Sequence, residues 1–175
     1  MNEDGREACA KMMNKIVLLV GVPGSGKSTL AQRLIEKGYI SLNADKIREE
    51  LFGDATVQTD NDAVFSLFFR RLEDELAKGS DVVIDNTNTN PKHRGPILQR
   101  AIQAGYSDIQ IWVLDTPLEV CLERNRARGR EVPEDIVTKM YQTITGPGKP
   151  QRHEGKLVII RPGDRPNEFR FFLPK

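Results

Sequence analysis

The first hydrophobic block of the chain, Lys15–Val20 (KIVLLV), is a β-branched run with no polar alternation, as expected for a strand covered on both faces. Glycines follow, and Leu30, Ala31, Leu34 and Ile35 then recur at helical spacing until Gly38 stops the pattern. Residues 39–42 read as a second strand, and 45–52 as a short helix ending near Gly53. Val64, Phe68, Leu72 and Leu76 trace one stripe of a longer helix closed by Gly79. Residues 81–85 (DVVID) form a third buried strand ending in a carboxylate. The helix after it has two possible starts, Asn90 with Pro91 or Gly95 with Pro96. A fourth strand covers 109–114, and Thr116-Pro117-Leu118-Glu119 then reads as a capping box with proline at the first helical position. Another helix begins at Pro133, with Glu134 and Asp135 suited to its positive end. Residues 157–160 make the last core strand, and 169–173 add an edge strand.

Strands alternating with helices predict an α/β fold: a three-layer α/β/α arrangement around a mainly parallel sheet, with ligands at the carboxyl ends of the strands. No repeat or low-complexity linker divides the chain, so residues 14–175 read as one domain and 1–13 as a flexible tail in which Met12 or Met13 offers an alternative start. At 175 residues, with 38% hydrophobic and 29% charged positions, the chain can bury a core without disulfides. Twenty-six basic against 25 acidic residues leave a net charge of +1, which argues against a general coat for duplex DNA and leaves room for a local phosphate site. Cys9 and Cys121 form no CxxC pair, and His93 and His153 are the only histidines, so a closed zinc site and most metallohydrolase chemistry are excluded. No run of 18 apolar residues suggests a membrane span, and the acidic N-terminus lacks a signal h-region, so the cytoplasm is the expected compartment.

Within this frame, Gly21-Val22-Pro23-Gly24-Ser25-Gly26-Lys27-Ser28, followed by Thr29, matches GxxxxGK[ST] between a predicted strand and a predicted helix. Phosphate oxygens need many donors in a small volume, and glycines at 21, 24 and 26 let the backbone turn tightly and approach them. Lys27 is expected to reach the β- and γ-phosphates, and the Ser28 hydroxyl to complete a Mg²⁺ shell. The chain is therefore expected to bind a nucleoside triphosphate.

Three further constellations bear on the receiving group. Asp45 and Arg48 lie three residues apart on one predicted helical face. A carboxylate there suits a general base for a hydroxyl acceptor, and the arginine suits a substrate phosphate; a helix cap beside a surface arginine is the simpler alternative. Asp85, at a strand end, suits the orientation of Mg²⁺, while Asn86, Thr87 and Asn88 offer short donors and acceptors to a substrate, or else form an Asn-rich turn. Arg94 is a further candidate phosphate contact. Four arginines fall between 124 and 130, where a lid can cover the triphosphate; Arg124 and Arg128 are the candidates for it, Arg126 and Arg130 reading as solvated. Trp112 and Cys121 are expected to pack, His93 to face solvent.

Together, GVPGSGKST at 21–29, Asp45-x-x-Arg48, VVIDNTNTNPKHR at 82–94 and RNxxRG at 124–129 resemble the polynucleotide 5′-hydroxyl kinase domain of phage and animal end-healing enzymes, within a wider group of small bacterial P-loop kinases. The resemblance spans about residues 15–160. It implies a P-loop kinase fold using ATP and Mg²⁺, with Lys27 and Ser28 on the phosphates and metal. It also implies Asp45 as the base for a 5′-hydroxyl and Arg48 as the contact to the acceptor's 3′-phosphate. Asp85, Asn86 and Asn88 would shape the acceptor site, with Arg128 on the transferring group and Arg124 on the nucleotide. The DxDG phosphatase motif of many such enzymes is absent, so removal of 3′-phosphates is not expected. Three readings stay open: a kinase of RNA or DNA 5′ ends, a kinase of a small-molecule alcohol such as a sugar, nucleoside or antibiotic, and a nucleotide-dependent switch with no acceptor.

Overall fold

A computed structural model describes residues 14–129 and 132–174. The N-terminal tail and Arg130 lie outside the described residues. The elements run β1 (Lys15–Val20), α1 (Lys27–Glu36), β2 (Ile40–Leu42), α2 (Ala44–Phe52), α3 (Asn61–Lys78), β3 (Val82–Ile84), α4 (Pro91–Gln103), β4 (Asp108–Leu114), α5 (Leu118–Arg126), α6 (Glu134–Thr145), β5 (Lys156–Pro162) and β6 (Phe169–Phe172). The six strands form one sheet in the order β2-β3-β1-β4-β5-β6. All pairs are parallel except β5 with β6.

The continuous apolar run of β1 has its cause in this order, because β1 lies between β3 and β4 with helices over both faces. Ile16, Leu18 and Val20 join one core with the stripe Val64, Phe68, Leu72 and Leu76 of α3, Ile97 of α4, Cys121 of α5 and Val137 of α6. Val17 and Leu19 point the other way, into a smaller core with Leu30, Ala31 and Leu34 of α1. Trp112 and Phe169 complete that second core. The layers are thus α/β/α. No helix among the described residues is long and apolar enough to cross a membrane.

Asn90, not Gly95, begins α4: its side chain accepts from the Lys92 amide, Pro91 takes the first turn and Pro96 lies inside the helix. The capping box expected at Thr116 does not form. Helix α5 starts at Leu118 after Pro117 with no side-chain cap, and Thr116 is used elsewhere. With β1 flanked by β3 and β4, the segments after β1, β2, β3 and β4 share one rim, at the switch point where such sheets bind ligands.

Candidate active site

The loop after β1 is held from several sides. Ser25 N–H donates to the Val22 carbonyl (3.1 Å) and Gly21 N–H to Thr87 (3.1 Å). Gly24 and Gly26 have φ of 83° and 106°, in the left-handed region that favours glycine. Gly24 also packs against α5: a Cβ there would lie 2.3 Å from the Cys121 carbonyl oxygen. Across this contact the Thr116 hydroxyl donates to the Ser25 carbonyl (3.0 Å) and Arg124 to the Gly24 carbonyl (3.4 Å). The first turn of α1 carries no acidic side chain, which leaves its positive end for an anion. Ser25 Oγ is the one buried side-chain polar atom without a partner among the described residues. A hydroxyl left so inside a glycine loop fits a phosphate oxygen. Pro23 is buried in the loop, whereas Ser28 is exposed and Thr29 half-buried at the start of α1.

Lys27 is buried and donates to the Val22 carbonyl (2.9 Å). Burial pushes its ammonium down to about 8; Asp85 opposes that shift, Arg128 reinforces it, and Asp45 opposes it again. The charges of Asp85, Arg128 and Asp45 thus all bear on Lys27 in the crevice at this rim.

Asn43 sets the acidic side of that crevice. It caps α2, accepting from the amides of Asp45 (2.8 Å) and Lys46 (3.0 Å), and its amide donates to the Asp85 carbonyl (2.7 Å) and carboxylate (3.3 Å). Asp45 is consequently not the cap but a first-turn residue, its side chain 57% exposed and 2.6 Å from Arg48. Arg48 is nearly buried, donates twice to Asn61 Oδ1 (3.3 and 3.0 Å) and lies 6.0 Å over the Phe65 ring. The geometry makes it a partner of Asp45 rather than an unengaged phosphate arm. Asp85 is 7% exposed; burial raises its pKa, against the opposing pull of Lys27 and the Asn43 hydrogen bond.

The residues after Asp85 tie strand tips together. Asn86 accepts from the Ala44 amide (2.8 Å), and Asn88, at φ 48°, donates to the Leu19 carbonyl (2.8 Å). Two sequence-based assignments are corrected here. Asn88 is 3% exposed with its amide engaged by the backbone, so it braces the rim instead of facing an acceptor. Arg94 is 0% exposed and pairs with both Glu154 carboxylate oxygens (2.7 and 3.0 Å) while donating to the carbonyls of Asn88 (2.9 Å) and Thr89 (3.3 Å). A guanidinium so enclosed holds the loop and cannot reach a phosphate. In the lid segment Arg124 and Arg128 are exposed, and Arg126 pairs with Glu134. Cys121 is buried as expected, its thiol pushed up to about 11 by burial, and His93 faces solvent.

Sequence reasoning passed over Asn43 and Glu154 and gave Thr116 another role. Asn43 had a usable signal, an N-cap residue type directly before a helix. Thr116 was misread because its spacing to Glu119 imitates a capping box. Glu154 carried no local signal, since its partner is 60 residues away.

The family profile described as AAA domain matches residues 16–147. The L-seryl-tRNA(Sec) kinase of Methanococcus maripaludis is 28% identical over 76% of this chain and 53% of its own length. A putative bifunctional polynucleotide kinase/RNA ligase of Autographa californica nuclear polyhedrosis virus is 29% identical over 73% of this chain and 20% of its own. Among solved structures, a chain of the Pnkp1/Rnl/Hen1 RNA repair complex superposes with a TM-score of 0.64 at 27% identity, over 76% of this chain and 44% of that one. The chain thus spans about half or less of the length of these three proteins.

Proposed function

This chain belongs to the AAA domain family and carries a P-loop kinase domain, and we propose that it phosphorylates an alcohol, the 5′-hydroxyl end of RNA or DNA, at the expense of ATP. The observation that carries the reading is Asp45, exposed on the first turn of α2, held by Arg48 at 2.6 Å and joined through Asn43 to Asp85 at the rim beside the phosphate loop. A nucleotide switch has no use for such a carboxylate. The similarity to the viral polynucleotide kinase/RNA ligase favours a nucleic-acid end among alcohols.

Bound ATP supplies the phosphoryl group, and Mg²⁺ offsets the charge of its oxygens. The loop amides, the unpartnered Ser25 hydroxyl and Lys27 fit the phosphates; Ser28 and Asp85 would hold the metal. Asp45 accepts the hydroxyl proton as the acceptor oxygen bonds to phosphorus and ADP departs, with no covalent enzyme intermediate. Arg48 orients the Asp45 carboxylate from within the protein. Arg128 reaches over the loop toward the charge on the transferring group, and Arg124 flanks the nucleotide.

The test offers a 5′-hydroxyl oligonucleotide with labelled ATP and Mg²⁺ to the wild type and to Asp45→Asn. Label transfer by the wild type and a loss of about 10²–10⁴-fold in the variant, with ADP affinity retained, are expected. If sugars or nucleosides are phosphorylated and the oligonucleotide is not, the acceptor is a small alcohol. ATP consumption that needs no acceptor and survives Asp45→Asn refutes the transferase reading.

A further inference from the structure

Arg128 lies just beyond α5, and a buried side chain in the last turn of that helix ties the chain on either side of it. Asn125, in the last turn of α5, is 0% exposed. Its Nδ2 donates to the Val132 carbonyl (2.6 Å) and its Oδ1 accepts from the Val132 amide (3.1 Å). One side chain thereby satisfies both backbone groups of a residue seven positions on, as a neighbouring strand would. Val132 packs on the core beside this contact. A second tie, the Arg126–Glu134 ion pair, closes the same segment at the surface.

Only asparagine does this here. Aspartate loses the donor and sets a charge against the Val132 carbonyl; alanine loses both bonds; glutamine is a methylene too long for a site with no exposure. Arg128 N–H also donates to the Asn125 carbonyl (3.3 Å), so the same residue contacts both Arg128 and Val132. Arg128 follows α5 by two residues, and α5 leaves the edge of the phosphate loop, where Arg124 donates to the Gly24 carbonyl (3.4 Å); the charge of Arg128 also bears on Lys27.

We propose that Asn125 is a positioning residue whose side chain, by pinning Val132, aims Arg128 at the phosphoryl group being transferred. The inference rests on the role assigned to Arg128 above and goes beyond it in naming what sets its aim. A misplacement of about 1 Å at such a group costs about 10²-fold. The defect belongs to the planar, transferring state and not to ground-state binding.

The experiment compares the affinity of the chain for Mg·ADP with that for Mg·ADP plus aluminium fluoride, which mimics the planar phosphoryl group and needs no acceptor. Asn125→Ala, Asn125→Asp, Arg128→Ala and the Asn125→Ala/Arg128→Ala pair are each checked for native circular dichroism; the aspartate variant keeps the probe if the alanine variant fails to fold. Asn125 variants are expected to weaken the ADP–aluminium fluoride complex about 10–100-fold with ADP affinity within about twofold, and the double variant to be no weaker than Arg128→Ala alone. Full additivity in the double variant, or unchanged ADP–aluminium fluoride affinity at Asn125 while Arg128→Ala weakens it, overturns the positioning role alone. No effect of Arg128→Ala overturns the lid-arginine role, and the positioning role with it.

Discussion

Glu154→Gln puts the packing of the rim to a quantitative test. Arg94 is fully enclosed and Glu154 meets it through two oxygens at 2.7 and 3.0 Å, its own side chain only 10% exposed. Glutamine preserves volume but removes the charge and turns an amide N–H toward a guanidinium donor. Breaking one side of a buried ion pair costs about 3–5 kcal/mol, a large share of the roughly 5–15 kcal/mol that holds a domain together. In a domain of this size each kcal/mol shifts the melting temperature by about 2–4 °C, so a fall of about 6–20 °C at pH 7 is expected. Removing both charges, as in Arg94→Met with Glu154→Leu, recovers part of this, but not all. The carbonyls of Asn88 and Thr89 lose their donor in that variant, and an unsatisfied buried carbonyl costs about 1–3 kcal/mol. Acid supplies the sign. Burial works to raise the Glu154 pKa, but the hydrogen bonds from Arg94 and the Gln151 amide outweigh it and hold the carboxyl below its ordinary 4.5. A depressed carboxylate contributes its full stabilisation above the unfolded value and loses it as pH falls through the folded one. The gap between wild type and Glu154→Gln is therefore expected to narrow below about pH 4.5 in denaturant titrations. A melting temperature within about 2 °C of wild type at pH 7, or a gap that persists into acid, refutes the reasoning.

Two further outcomes follow from the phosphate loop. Because burial holds Lys27 near 8, ATP affinity is expected to fall between pH 7 and 9 as the ammonium loses its proton; calorimetric binding that is flat across this range contradicts the burial argument. Gly24→Ala combines a φ of 83° with a Cβ 2.3 Å from a backbone oxygen of α5, so a loss of at least about 2 kcal/mol in stability and a collapse of ATP affinity are expected by melting and nucleotide titration.

Much of the fold was legible because burial imposes a period on the sequence. The stripe Val64, Phe68, Leu72 and Leu76 is buried in full, and the unbroken run at Lys15–Val20 is a central strand. Periodicity cannot order strands, so β4 and not β2 as a neighbour of β1 emerged only in three dimensions. Glycines and Lys27 were readable because their chemistry is local to one loop. Arg94 was not, because a guanidinium six residues past Asn88 looks the same in sequence whether it faces a ligand or a glutamate 60 residues on. Thr116 misled for the opposite reason: a local pattern was present, but a tertiary acceptor, the Ser25 carbonyl, took the hydroxyl.

The place of β1 in the sheet has a consequence for how the chain matures. Its partners are β3, beginning at Val82, and β4, beginning at Asp108, so a ribosome releasing residues in order leaves the strand beneath the phosphate loop without a neighbour until more than 60 further residues have emerged. The clasp from Thr116 and the backing from Cys121 arrive later still. Nucleotide in the cell therefore stabilises the domain only once the chain has been made past Cys121, rewarding the assembled sheet and none of its early fragments.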